Sequence, residues 1–291
     1  MTDPARAIAD AVLYEGYVLW PYRRSALKNQ RRWTFGGVFP RGHSALHPDD
    51  RWTFRTQVLA DVDVDVRVRF LQVVHRQAMR GGVPVDAVGD VLTWDEAVER
   101  EVGAGPIAIA AGRHVEPVED GAIVRTWHAL EGAVDVTRKG RLVTVAIRNT
   151  TPWDCDDRAA AQRRSFCSTH AVLRTTGAFV SPLDPEAASC VSEGWWPVLL
   201  GDPGSVDTML ASPIILEEHP RIAPESPGDL FDGGEIDQLL VLTILAMTDE
   251  EKAEMRASDP RTREVLERTE ALTPEQLLQL SGAVREFGTV R

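Results

Sequence analysis

The sequence predicts an α+β protein with two regions: an antiparallel, β-sandwich-like core over residues 1–212, and an acidic linker and helical segment, 213–291, packed on it. Three observations carry this expectation. Val62, Val64, Val66, Val68 and Phe70 alternate with Asp61, Asp63, Asp65, Arg67 and Arg69, the period of two expected of a strand with one buried and one wet face. Residues 133–137 and 142–149 flank Arg138, Lys139 and Gly140 as the arms of a tight hairpin. Strand patterns follow one another without the strand–helix alternation that builds a doubly wound parallel sheet.

Taken in chain order, the strand patterns fall at 12–20, 51–60, 61–70, 121–130, 133–137, 142–149 and 168–179. Helix signals before 212 are short: Thr93 and Glu96 form a capping box ahead of 97–102, and 156–164 is alanine-rich after Pro152. Residues 219–227 hold three prolines and read as an extended linker. Asp232, Gly233 and Gly234 then lead into a helix over 235–247. Its Ile236, Leu239, Leu240, Leu242, Ile244 and Leu245 lie almost all round the axis, which predicts burial against the sheet. Thr248 with Glu251 opens a short second helix, and Ser258 with Pro260 opens a third that runs to about Glu270. Thr273, Pro274 and Gln276 start the last, striped by Leu277, Leu278, Leu280, Val284 and Phe287.

Composition narrows the functional classes. A hydrophobic content of 43% with 26% charged residues is that of a compact globular chain, far from the disordered regime. No apolar run reaches the roughly 18 residues of a membrane span, and the first ten residues lack a basic and apolar leader, so a cytoplasmic protein without a membrane span is expected. The formal net charge is −12, and residues 214–254 concentrate it, with eleven carboxylates against Arg221 and Lys252. Nucleic acid is therefore not an expected partner, because duplex binding needs a broad basic face. Cys155, Cys167 and Cys190 cannot all pair within one chain, and reduced thiols are the default.

Few constellations suggest chemistry. Cys155, Cys167, His170 and Cys190 are enough donors for zinc or another thiophilic metal, but only Cys167 and His170 are closely spaced, and on a regular strand they would face opposite ways. Buried reduced thiols are the stronger reading, and no cofactor is expected. His43 and His47 stand four apart, yet Pro40, Gly42 and Pro48 predict a loop rather than a helix that would align them. Asp61, Asp63 and Asp65 imitate the start of a calcium loop, but Val66 and Gln72 occupy the positions that need glycine and glutamate. Asp154, Asp156 and Asp157 read as capping residues of the following helix. There is no GxSxG, GxxxxGK, HExxH or CxxC, and no catalytic residue is identified.

The densest binding chemistry lies near the start. Residues 13–40 hold all three tyrosines, two of the eight tryptophans and five basic side chains. Tyr14, Tyr17, Trp20, Tyr22, Arg23, Arg24, Arg31, Arg32, Trp33 and Phe35 are the residue types that anchor protein interfaces, and form the candidate partner surface. The competing reading makes the aromatics the inner face of a first strand and pairs the basic run with the acidic C-terminal third of the same chain.

The segments LYEGYVLWPYRRSALKNQRRWTFGGVFPR (13–41) and GGEIDQLLVLTILAMTDEEKAEMRASDPR (233–261) resemble uncharacterised proteins associated with uptake NiFe-hydrogenase gene clusters of actinobacteria. The resemblance covers about a fifth of the chain and implies a non-catalytic accessory or assembly factor that binds hydrogenase subunits or maturation factors. The chain lacks the P-loop of a nickel-inserting GTPase and the CxxC knuckles of a nickel chaperone. Two alternatives remain: a metal-binding protein or metalloenzyme using the Cys/His set, and a small-ligand enzyme with a pocket lined by the opening aromatics.

Overall fold

A computed structural model describes residues 4–280, apart from 31, 34, 154–155, 223–225, 227 and 233–235. The chain divides into two compact units, Met1–Glu15 with Trp33–Arg221, and Gly16–Arg32 with Ile222–Arg291. The division differs from the one that composition suggests. The second unit begins at Ile222 rather than 213, and it takes Gly16–Arg32 from the region assigned to the β-rich core.

The first unit holds two stacked antiparallel sheets. One runs, edge to edge, Ser192–Glu193, Thr53–Leu59, Leu142–Asn149, Leu130–Lys139 and Gly105–Ile109. The other runs Trp196–Leu199, Thr208–Ser212, Cys167–Thr175, Val64–Arg80, Gly121–Trp127 and Gly112–Val118, with Trp94–Val102 and Val83–Val85 also paired to the long strand Val64–Arg80. Period-two patterning places the core between them. Phe54, Val58, Val143, Val145 and Ile147 from the first sheet meet Val66, Val68, Phe70, Ala171 and Leu173 from the second in one buried cluster. Each buried Val, Leu, Ile or Phe among them contributes about 1.5–3 kcal/mol by leaving water. Phe70 and Phe166 approach to 4.6 Å between ring centroids, and buried Trp195 satisfies its indole N–H on the Thr169 carbonyl at 2.8 Å. The predicted hairpin is present, with Lys139 opposite Leu142 and Gly140 at φ +61° supplying the left-handed turn residue.

Three elements differ from expectation, each for a physical reason. Residues 12–20 do not form a strand: Pro4–Tyr14 is a helix, because Ala5, Ile8, Ala9 and Val12 recur at helical spacing. That stripe packs on Val198, Leu200 and Leu210 from the outer face of the larger sheet. The alternation along Val64–Arg80 also stops partway. Val62 is exposed ahead of the strand, and from Arg69 both faces are buried, with the Arg69 guanidinium donating to Asp10 of the helix at 2.6 Å. Residues 97–102 belong to the strand Trp94–Val102, paired with Val68–Arg76 in register. The Thr93 hydroxyl caps no helix there; it donates to the Val85 carbonyl and accepts from the Ala78 amide. The histidine segment is a short helix, Arg41–Leu46, with Pro40 ahead of its first turn. Arg158–Gln162 is helical as expected, and Asp157 caps it by accepting from the Ala159 and Ala160 amides.

In the second unit the helices are Asp237–Leu245, Asp249–Ser258, Pro260–Glu270 and Pro274–Gln279. Thr248 with Glu251 and Thr273 with Gln276 form complete capping boxes. Asp259, rather than Ser258, caps the third helix, and the Ser258 hydroxyl donates to the Glu254 carbonyl. Helix Asp237–Leu245 is apolar all round but buries only Leu240, Val241 and Ile244, while Leu239 and Leu242 stay exposed. The predicted Val284 and Phe287 lie outside the described residues. Among those described, no helix is long and apolar enough to cross a membrane.

Candidate functional site

The opening aromatics divide between the units. Tyr14 and Trp33 are buried and Phe35 is 45% exposed in the first unit, where the Tyr14 hydroxyl donates to Glu99 at 2.6 Å. In the second, Tyr17 is buried and its hydroxyl donates to Asp259 at 2.8 Å. The Tyr17 ring meets Phe231 edge-on at 6.4 Å, and the Arg32 and Arg261 guanidinia lie 5.6 Å and 5.8 Å from its centroid. The Tyr22 hydroxyl donates to the Leu230 carbonyl, and the Trp20 amide donates to Asp232 at 3.0 Å. Arg23 pairs with Glu251 at 2.9 Å, and the Ser25 amide and hydroxyl donate to Glu254. Asn29 fixes the loop, donating to the Leu19 and Arg23 carbonyls and accepting from the Leu19 amide. Basic opening and acidic C-terminal third thus meet inside one unit. Trp20, Arg23 and Arg24 are partly exposed, Arg32 is buried, and Arg31 lies outside the described residues.

The proposed metal ligands are only partly placed, since Cys155 lies outside the described residues. Cys167 is buried and Cys190 is half-buried. A bulge sets Cys167 opposite Leu71 and His170 opposite Arg69, so the two share a face where a regular strand would separate them. Ser168 within the bulge takes φ +51°. Burial, with the Arg69 charge behind it, lowers the His170 pKa to about 3 and leaves a neutral imidazole. Among the described residues, no group of three or more His, Cys, Asp or Glu is arranged to hold a metal.

Two histidine clusters emerge instead. On helix Arg41–Leu46 and the residue after it, the His43 and His47 rings stack at 4.5 Å, with His43 Nε2 at 2.9 Å from Asp50 and His47 Nε2 at 2.6 Å from Asp156. Burial opposes ionisation of Asp50, but hydrogen bonds from Arg158 and His43 prevail and hold its pKa below the ordinary carboxylate value. His75 Nδ1 lies 2.6 Å from Asp95, whose carboxylate also receives the Arg163 guanidinium. This second dyad joins neighbouring strands and has no local sequence signature.

One concavity was not legible in the sequence. A cleft of about 660 Å³ opens where the edge strands of both sheets, Ser192–Glu193 and Trp196–Leu199, come together. Val58, Val198 and Met209 contribute from the sheets, and the segments 180–183 and 215–218 wall it. Leu183 is 79% exposed, Ile215 74% and Trp196 38%, so apolar surface continues onto the rim. Local turns hold these positions. The Ser181 hydroxyl accepts from the Leu183 amide and donates to Glu218, Asp184 caps the turn Pro185–Ala187, and the Ser212 hydroxyl donates to the Ile214 carbonyl. The lining includes the carboxylates of Glu217 and Glu218 but no Lys, Arg or His. Burial pushes the Cys190 thiol, also in the lining, above its ordinary pKa. A smaller cleft, about 360 Å³, is lined by Arg6, Arg67, Arg69 and Arg174, and Arg6, Arg67 and Arg69 pair with Glu101, Asp65 and Asp10.

In comparisons with known proteins, neither a family model nor a curated protein matches the chain.

Proposed function

We propose that the protein is a non-catalytic accessory or assembly factor for a metalloenzyme, a NiFe hydrogenase, acting in the cytoplasm by binding a protein partner. The observation that carries the binding role is the cleft of about 660 Å³ with Leu183, Ile215 and Trp196 exposed at its rim. Contiguous exposed apolar surface of this kind marks interaction sites. The hydrogenase assignment rests on the resemblance of residues 13–41 and 233–261. The contact surface is placed at the cleft rather than at the opening segment, whose Tyr17, Tyr22 and Arg23 are engaged within the second unit. A small-ligand role is the second reading, favoured by a cleft volume within the range of small-molecule sites.

Coexpression of the tagged chain with hydrogenase subunits, followed by copurification and elemental analysis of the free chain, tests the proposal. Recovery of a subunit, and its loss with Leu183→Ser and Ile215→Ser, is the expected result. No subunit in the eluate, or stoichiometric zinc, nickel or iron that disappears when Cys155, Cys167 and Cys190 become serine, would reject it in favour of the metal reading.

A further inference from the structure

We propose that the cleft between the two sheet edges takes an extended peptide segment of the partner in which apolar side chains are followed by a lysine or arginine. This deepens the accessory reading and rests on it. Three observations point to that chemistry. First, the floor and walls are largely apolar, from Val58, Val180, Pro182, Val198 and Met209 with Gln57 and Ser192 among them, and select for aliphatic or aromatic side chains. Second, Leu183 and Ile215 are largely exposed at the rim. A small molecule seated within the cleft would leave that rim in water, whereas a longer chain running across it covers both residues. Third, the charge is one-signed and confined to the segment 215–218, where Glu217 and Glu218 stand with no cation in the lining. A cationic side chain at one end of the bound segment completes that charge, which sets orientation as well as attraction.

The edge strands favour an extended occupant, because sheet edges and alternating side-chain pockets recognise peptides in that conformation. Trp196–Leu199 is an edge of its sheet, but Pro197 has no amide hydrogen to offer a ladder. Side-chain burial, rather than a continuous backbone ladder, therefore carries the affinity. Cys190 provides a built-in reporter: its half-buried thiol lines the cleft, and an occupant shields it.

The test is selection from a random-peptide phage library on the immobilised full chain, followed by affinity measurement with the synthesised peptides and iodoacetamide labelling of Cys190 followed by mass spectrometry. Enriched peptides are expected to carry an apolar run next to Lys or Arg and to slow Cys190 alkylation. Glu217→Gln with Glu218→Gln should weaken them about three- to tenfold. Leu183→Ser with Ile215→Ser should weaken them by at least about tenfold. Enrichment of acidic peptides, absence of enrichment, or affinities unchanged in both variants would overturn the assignment. So would protection of Cys190 by octylammonium but by no peptide, which would give the cleft to a small amphipathic cation. The two proposals fail separately. Hydrogenase subunits that still copurify with the Leu183→Ser, Ile215→Ser chain would reject the cleft and leave the accessory role, whereas peptide binding without hydrogenase copurification would do the reverse.

Discussion

Replacing Tyr17 by phenylalanine removes one oxygen from the interior of the second unit and leaves the ring and its contact with Phe231 in place. The lost bond runs to the Asp259 carboxylate, which caps helix Pro260–Glu270 by accepting from the Arg261 amide at 2.9 Å. A hydrogen bond to a charged acceptor is worth about 1.5–3 kcal/mol. Asp259 keeps the amide and the Arg261 side chain lies near, so the lower end, about 1.5 kcal/mol, is expected. Amide hydrogen exchange across Pro260–Glu270, read by mass spectrometry, should then speed up by about tenfold. Exchange in that helix unchanged within twofold, or a Tyr17→Phe, Asp259→Ala double variant whose effect is the simple sum of the two, would refute the coupling. The same group gives an alkaline signature. Burial first, and then the Asp259 carboxylate, raise the Tyr17 pKa well above its ordinary value. The folded state therefore holds this proton more tightly than the unfolded state. Its contribution is intact below the unfolded value of about 10 and is lost as pH rises through the folded one. Tyr17→Phe should lack that loss.

His170, with its pKa near 3, is held neutral when folded, so its contribution is intact above the unfolded value of about 6.5 and is lost as pH falls through the folded one. NMR of the imidazole should show no titration above about pH 4, and a midpoint near 6.5 would contradict the burial argument. Phe166→Ala opens a cavity beside Phe70 and should cost about 3–5 kcal/mol in urea denaturation; a loss under 1 kcal/mol would mean the sheets close over it. Gly194 sits at φ +76°, and a Cβ there would come within 2.2 Å of the Phe54 ring. Gly194→Ala should therefore destabilise by more than about 1 kcal/mol, while alanine at Gly140, also left-handed but with no atom within 4 Å of the added Cβ, should cost only the backbone strain.

What the sequence disclosed was set by how local the governing interactions are. Thr248 with Glu251 and Thr273 with Gln276 are readable because a capping box closes within four residues. Thr93 with Glu96 has the same spacing, yet pairing with Val68–Arg76 overrides it, and that partner is distant in the chain. The alternation before Arg69 is legible because one face is wet; it fails from Arg69 onward, where both faces are buried. Helix Pro4–Tyr14 was hidden because residues 12–20, rich in aromatic and β-branched side chains, read as a strand. The acidic and basic clusters were visible as complements, but the individual pair Arg23–Glu251 was not. The cleft could not be read at all: Val58, Leu183, Cys190, Trp196, Met209 and Ile215 come from separate segments, and each by itself is an ordinary apolar position.

Hydrogen exchange of the chain with and without the copurified hydrogenase subunit tests the role of the cleft most directly. Binding through the cleft predicts slowed exchange at 181–183, 196–199 and 215–219, with the Tyr17–Asp259 region unchanged. Protection confined to 16–32, with those cleft segments exchanging as in the free chain, would contradict the account and return the partner surface to the opening aromatics.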